Sequence, residues 1–229
     1  MKMEILVPVA TNFRNAEILY EAKKTQSSNV DIGINNIKQG PTSIECDYDS
    51  AFAENYVVEM AEEMEAGGAN GIVLYCFAEP ALSACKEKLN IPVVGLREAS
   101  IAIASLLGDN IGVIAPMENT KKSFSRALGK KVRQIISLDL PVLEYADQEK
   151  VRTAIESKIQ QLVQNDCDVI VFGCGSILGL DIEHLQDKYH LPIIVPIHAA
   201  VAVCKYLMQH KLMQSKIAYP SPALGKVIH

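Results

Sequence analysis

The chain has no basic run, no low-complexity tract and no linker-like stretch. Its net charge of −5 leaves no electrostatic footprint for nucleic acid or an acidic membrane surface, so neither is expected as a partner. The longest apolar runs are of strand length and bounded by turn residues, and none suits a bilayer. Met1-Lys2-Met3-Glu4-Ile5 enters a strand pattern at once, without a charged region followed by an apolar one, and no signal peptide is read there. The cysteines (Cys46, Cys76, Cys85, Cys167, Cys174 and Cys204) include no Cys-x-x-Cys pair and are too dilute for a disulfide scaffold. A reduced, cytoplasmic setting is expected. His184, His190, His198, His210 and His229 show no metal-ligand spacing with the cysteines, so no metal is expected. There is no P-loop. Gly173-x-Gly175-x-x-x-Gly179 misses the dinucleotide fingerprint by one residue and follows a late strand, which argues against a nucleotide cofactor.

What is present is an internal duplication. Asn70-Gly71-Ile72-Val73-Leu74-Tyr75-Cys76 lines up with Asp168-Val169-Ile170-Val171-Phe172-Gly173-Cys174. Each reads as a short buried strand ending in a thiol. Each is followed by a helical stretch and a second apolar run, Ile91-Pro92-Val93-Val94 in one half and Leu191-Pro192-Ile193-Ile194 in the other. Ile5-Leu6-Val7-Pro8 matches Val113-Ile114-Ala115-Pro116 in the same way. The 229 residues therefore divide into two lobes of about 100 residues each. We assign residues 1–97 plus 210–229 to the first lobe and 98–209 to the second. The tail after Met213 is read as returning to the first lobe.

In the first lobe the pattern predicts strands at 3–8, from 31, at 71–75 and at 92–95, with helices at 15–24, 50–66, 79–89 and 98–107. Ser50 is read as an N-cap and Gly67-Gly68 as the following stop. The second lobe repeats the order: strands 111–115, 133–138, 169–173 and 192–195, with helices 119–129, 147–165, 180–189 and 198–209. Strands without alternation, interleaved with helices, imply an α/β fold of two pseudo-symmetric lobes, each a parallel sheet flanked by helices. Ligands of such sheets bind beyond the carboxyl ends of the strands, which places the site in the cleft between the lobes. Cys76, Cys174, Pro8 and Pro116 all fall at that edge.

Either cysteine alone reads as a buried structural thiol, the default for this residue type. The same position occupied in both repeats points to function instead. Two thiols flanking one cleft suit proton exchange at a carbon. Pro80 and Glu79 fit a helix start after Cys76, and the small neighbours of Cys174 let backbone N–H groups approach a ligand. Thiols near helix N-termini gain thiolate character, so pKa values near working pH are expected. His198, just past a strand, is read as solvated or capping, and Asp181 and Glu183 as a solvated helix start.

At these residues the chain resembles the aspartate/glutamate/hydantoin racemase superfamily. Cys76-Phe77-Ala78-Glu79-Pro80-Ala81-Leu82 resembles the Cys-Phe-Gly-Asp-Pro-x-Leu run of hydantoin and allantoin racemases. Ile91-Pro92-Val93-Val94-Gly95-Leu96-Arg97-Glu98-Ala99 resembles their Ile-Pro-Val-Val-Gly-x-x-Glu-Ala segment, and Gly173-Cys174-Gly175 matches the region of their second cysteine. The resemblance implies an enzyme without a cofactor, in which Cys76 and Cys174 are the two acid/base residues. It implies that Phe77, Ala78, Gly175 and Ser176 contact the substrate's oxygens, with Pro8 and Asn12 as further contacts. The chain departs from the pattern at Val7-Pro8-Val9-Ala10, where hydantoin racemases have Asn-Pro-Asn-Thr, and at Val195-Pro196, where they have Asp-Gly.

The expected activity is racemisation of a small molecule, a 5-substituted hydantoin or related compound, by a homo-oligomer. A hydantoin loses its α-proton more readily than an amino acid zwitterion when no coenzyme acts as electron sink. Aspartate or glutamate remains open and would need a cation such as Arg14, Arg97 or Lys121 for the second carboxylate. A maleate isomerase-like activity also remains open. An arylmalonate decarboxylase keeps one cysteine, so two count against it. A small-ligand binding protein is the non-enzyme reading.

Overall fold

The structure, a computed structural model, describes residues 1–25, 29–145 and 147–223. The first half contains β1 (Lys2–Val7), α1 (Asn15–Lys24), β2 (Asp31–Asn36), α2 (Asp47–Ala66), β3 (Gly71–Leu74), α3 (Leu82–Lys88), β4 (Val93–Gly95) and α4 (Leu96–Ala104). The second contains β5 (Ile111–Ala115), α5 (Glu118–Leu128), β6 (Gln134–Ser137), α6 (Gln148–Gln164), β7 (Val169–Phe172), α7 (Ile182–Tyr189), β8 (Ile193–Ile194) and α8 (Pro196–Gln209). Each half forms a four-stranded parallel sheet, ordered β2-β1-β3-β4 and β6-β5-β7-β8. The identical order is the structural form of the duplication.

The central strands are buried on both faces, which explains their unbroken apolar character. Alternate residues of β1 divide between two cores. Met3, Ile5 and Val7 join a cluster that runs on into Val113 and Val171 of the second sheet. Leu6, with Ile72 and Leu74 of β3, faces Ala53, Val57 and Ala61 of α2. One apolar core therefore continues through both halves. No helix among the described residues is long and apolar enough to cross a membrane.

Two helices pack across the divide. α4 follows the first sheet yet lies against β7 and β8, and α8 follows the second sheet yet lies against β3 and β4. The two helices also pack on each other. The boundary read at 209/210 thus separates α8 from the sheet it covers. Hydrophobic periodicity shows that α8 has an apolar face but not which sheet receives it. Side-chain bonds tie the segment after α8 to β4 and α3. The Val93 N–H donates to Gln214 Oε1 (3.1 Å), and Gln214 Nε2 donates to the Val93 carbonyl (2.9 Å), so one amide side chain covers the exposed edge of β4. Lys216 Nζ donates to the carbonyls of Lys86, Glu87 and Leu89 at the end of α3. Residues 224–229, assigned to the first lobe, lie outside the described residues.

Several helix starts differ from expectation. α2 begins at Asp47, so Ser50 is a helical residue whose N–H donates to the Cys46 carbonyl. Acidic Asp47 and Asp49 favour this earlier start, because they meet the positive end of the helix. α8 begins at Pro196, whose fixed φ suits the first helical position. α3 begins at Leu82, because Glu79 and Ala81 both adopt left-handed backbone (φ 58° and 56°) and break the helix at that point. Asp181 is the N-cap of α7, accepting from the His184 N–H (3.0 Å).

Gly71 marks the closest approach of α8 to β3. A Cβ there would sit 2.7 Å from Met208 Sδ and 2.9 Å from Cys204 Sγ. Gly71→Val is expected to destabilise the protein by about 1–3 kcal/mol through overpacking. The measurement is the urea midpoint; an unchanged midpoint would contradict this packing.

Candidate active site

In both halves the sheet ends in the same hydrogen bond. The Tyr75 N–H donates to the Leu6 carbonyl and the Gly173 N–H to the Ile114 carbonyl, each at 2.8 Å. The next residue is Cys76 in one half and Cys174 in the other. Both line a single cavity of about 90 Å³ at the carboxyl ends of the two sheets. A cavity of that size holds several waters, hence one small molecule. Pro8, Phe77, Ala78, Gly175 and Ser176 line it too. Asn12 does not: it is exposed, and its carbonyl accepts the Asn15 N–H at the start of α1 (3.0 Å). Thr11 and Asn15 take its place in the wall.

Burial works against the expected thiolate character. Burial pushes the Cys76 thiol up to about 12, against the downward pull of the Ala78 and Glu79 N–H groups. Burial likewise pushes Cys174 up to about 11, against the Ser176 N–H and hydroxyl and the Arg14 charge. Helix dipoles contribute little, because α3 starts only at Leu82 and α7 only at Ile182, each more than a turn away. Burial therefore favours the neutral thiol at both sulfurs.

The two thiol turns are anchored differently. After Cys76, the buried Glu79 side chain reaches away from its own helix to the start of α4. Its Oε1 accepts the Glu98 N–H (2.7 Å), and Oε2 pairs with Arg97 Nη2 (2.9 Å). Burial raises the Glu79 pKa, and Arg97 opposes that rise. A Cβ on Gly95 would lie 2.2 Å from this carboxylate, so only glycine leaves it room. Sequence reasoning assigned Glu79 to the first turn of α3; left-handed backbone at 79 sends it to α4 instead.

The turn after Cys174 is held from the other half. The buried Tyr75 hydroxyl donates to the Gly175 carbonyl, and Arg14 Nη1 donates to the Ser176 carbonyl (3.1 Å). The C=O and N–H of a trans peptide point in opposite directions. Pulling the Gly175 carbonyl toward Tyr75 thus aims the Ser176 N–H back at Cys174. Leu96 and Tyr75 both stand 3.0 Å from where a Gly175 Cβ would be. Sequence reasoning did not foresee Tyr75 in this role; its signal is a polar-tipped aromatic directly before the matched cysteine.

The remaining wall is a strap from the first half. Thr42, Ser43 and Ile44 face the cavity. Glu45 Oε1 accepts the Val142 N–H (3.0 Å), and the Glu45 carbonyl accepts from Thr120 Oγ1 (3.2 Å). Asp47 accepts from Ser123 Oγ (2.6 Å) and pairs with Arg126. No motif marked this loop. Of the cations considered, Arg14 lines the cavity, whereas Arg97 pairs with Glu79 and Lys121 with Glu118 outside it. Arg14 is itself paired with Glu17. His198 meets Glu21 (3.0 Å) away from the cavity. Among the described residues no cluster of His, Cys, Asp and Glu could hold a metal ion.

Neutral thiols make a definite prediction. Iodoacetamide labelling of both cysteines should rise about tenfold per pH unit from pH 8 to 10, with Cys174 ahead of Cys76. Peptide mass mapping scores each site. A plateau below pH 9 would show a thiolate already formed at rest.

Comparison with known proteins accords with this site. Residues 13–204 match the model of the Asp/Glu/Hydantoin racemase family. The chain is 25% identical to a hydantoin racemase of Paenarthrobacter aurescens, over 97% of this chain and 98% of that one. It is 26% identical to a hydantoin racemase of Pseudomonas sp. (strain NS671), over 95% and 90% respectively. An allantoin racemase structure from Klebsiella pneumoniae superimposes with a TM-score of 0.91 at 24% identity, covering 100% of this chain and 96% of that one, which shows the shared fold. With strand order, duplicated cysteine turns and family match in agreement, the chain belongs to the Asp/Glu/Hydantoin racemase family.

Proposed function

We propose that this racemase inverts a stereocentre beside a carbonyl by moving a proton between Cys76 and Cys174, with no cofactor. The observation that carries the reading is that both thiols line one cavity from matching strand ends, each with N–H groups turned toward its sulfur. One of the two thiols first releases its proton to solvent, and the thiolate so formed removes the proton from one face of the carbon. The electron pair left behind delocalises into the carbonyl as an enolate. The opposite thiol then delivers its proton to the other face and becomes the thiolate, so the reverse reaction starts from the complementary state. Ala78, Gly175 and Ser176 supply N–H groups for the enolate oxygen, and Pro8 and Phe77 shape the wall. A thiolate with so high a pKa is a strong base, which matches a weakly acidic carbon.

The character of the walls supports one substrate class. Val7, Val9, Ile18, Ile44, Phe124 and Leu143 make much of the cavity apolar. Arg14 is the one cation among the described lining residues, and its donors already meet Glu17 and the Ser176 carbonyl. Nothing remains to pair both carboxylates of aspartate or glutamate, and burying one unpaired is costly. A neutral ring with an apolar substituent fits, as in a 5-alkyl hydantoin. The relatives named hydantoin racemase support the same class.

The test is polarimetry of enantiopure 5-alkyl hydantoins, L-aspartate and L-glutamate in D₂O. The hydantoin should lose optical rotation and gain one deuterium at C5, and the amino acids should not react. Cys76→Ser and Cys174→Ser should each slow racemisation by at least about a thousandfold. A single variant with full activity would remove that cysteine from the mechanism, and preferred turnover of aspartate would overturn the substrate class.

A further inference from the structure

Of the described residues that line the cavity, three are exposed: Phe13, Thr42 and Leu143. They mark its mouth, because a side chain that faces both the cavity and solvent lies where the two join. Two of the three are large and apolar, Phe13 at 60% exposed and Leu143 at 54%. Single apolar side chains on a surface are ordinary, whereas two gathered at the entrance of a site point to a ligand group that covers them. They come from opposite halves. Phe13 lies in the loop between β1 and α1, and Leu143 in the 3-10 turn Val142–Glu144 between β6 and α6. The backbone beside each is held: Asn36 Nδ2 donates to the Thr11 carbonyl (2.6 Å), and the Val142 N–H donates to Glu45 Oε1 (3.0 Å).

Inversion of a stereocentre constrains where the rest of the substrate lies. The proton leaves one face of the carbon and returns on the other, through a planar enolate. The three remaining substituents therefore end nearly where they began. Both enantiomers place their side group in the same slot, and that slot lies between the two thiols rather than beside one of them. A slot walled by Phe13 from the first half and Leu143 from the second meets this constraint. The cavity of about 90 Å³ has room for several waters, enough for a small ring, and a bulky group on that ring extends to the mouth.

We propose that Phe13 and Leu143 form the subsite for the side group on the inverted carbon, and that they set a preference for a large apolar group, aromatic above small alkyl. The inference rests on the racemisation of a hydantoin-like ring proposed above. Covering the two side chains removes apolar surface from water, a gain that a methyl group too short to reach the mouth does not share. The Phe13 ring adds a stacking or edge-to-face contact when the group is aromatic. Thr42, the polar member of the rim, accepts from Thr11 Oγ1 through its carbonyl (3.3 Å), which ties the strap to the Phe13 loop. The contact is made to a part of the substrate that does not change during proton transfer. It therefore acts alike on bound substrate and transition state, and its loss shows in KM rather than in kcat.

The test compares 5-benzylhydantoin with 5-methylhydantoin in the wild type, Phe13→Ala and Leu143→Ala. The wild type should favour the benzyl compound about a hundredfold in kcat/KM. Each alanine should cut that preference about tenfold, through KM, and Phe13→Leu should keep most of it. Both side chains are more than half exposed, so the urea midpoint should hold. A preference unchanged in both alanine variants, or a wild type that favours the methyl compound, overturns the proposal. Binding is read separately, by the protection each hydantoin gives Cys76 and Cys174 against iodoacetamide. If neither compound is racemised, the proposed function falls and protection decides the subsite. Protection by the benzyl compound that weakens in the alanine variants keeps it, whereas protection that is absent or unaltered overturns it as well.

Discussion

Everything at the site depends on where the two ladders stop. A parallel sheet buried on both faces satisfies its backbone internally and leaves free polar groups only at its ends and along its edge strands. In this chain each central strand makes its last ladder bond one residue before a cysteine, Tyr75 to Leu6 and Gly173 to Ile114. The backbone beyond that point is released from the sheet, and its N–H groups turn toward the sulfur. Because the duplication copies the ladder, it copies this release point.

The same enclosure that brings the thiols together works against their ionisation. Burial is the largest influence on both, and the nearby N–H groups offset only part of it. A site so arranged favours the neutral thiol at both positions. The N–H groups after each cysteine are already turned toward the sulfur, where they would favour a thiolate.

Alignment of the two halves is a matter of exchange. α4 covers the second sheet and α8 the first, so neither sheet is complete without a helix from beyond the other. Each thiol turn is also held from outside its own element: Glu79 holds the first through α4, and Tyr75 with Arg14 holds the second across the cleft. These bonds are mostly buried, where a lost partner is costly, so they fix the geometry more firmly than the exposed Asp47–Arg126 pair on the strap.

The α/β class, the eight strands and the matched cysteines were legible because they rest on local signals. A doubly buried strand must be apolar throughout, a helix must carry an apolar stripe, and a duplication repeats both at a fixed offset. The motif around Cys76 carried the wall residues Phe77 and Ala78, and that around Cys174 carried Gly175 and Ser176. What the chain does over long separations was not legible. That Glu79 caps α4, that Arg14 and Tyr75 brace the Cys174 turn and that Thr42–Ile44 close the cavity all depend on contacts between distant residues. Sequence alone determined where the strands lie along the chain and which turns carry the matched cysteines, since both follow from apolar runs and turn chemistry. Only the tertiary structure decided how deeply the thiols lie and what faces them, because desolvation and hydrogen bonding are set by the surroundings that folding assembles.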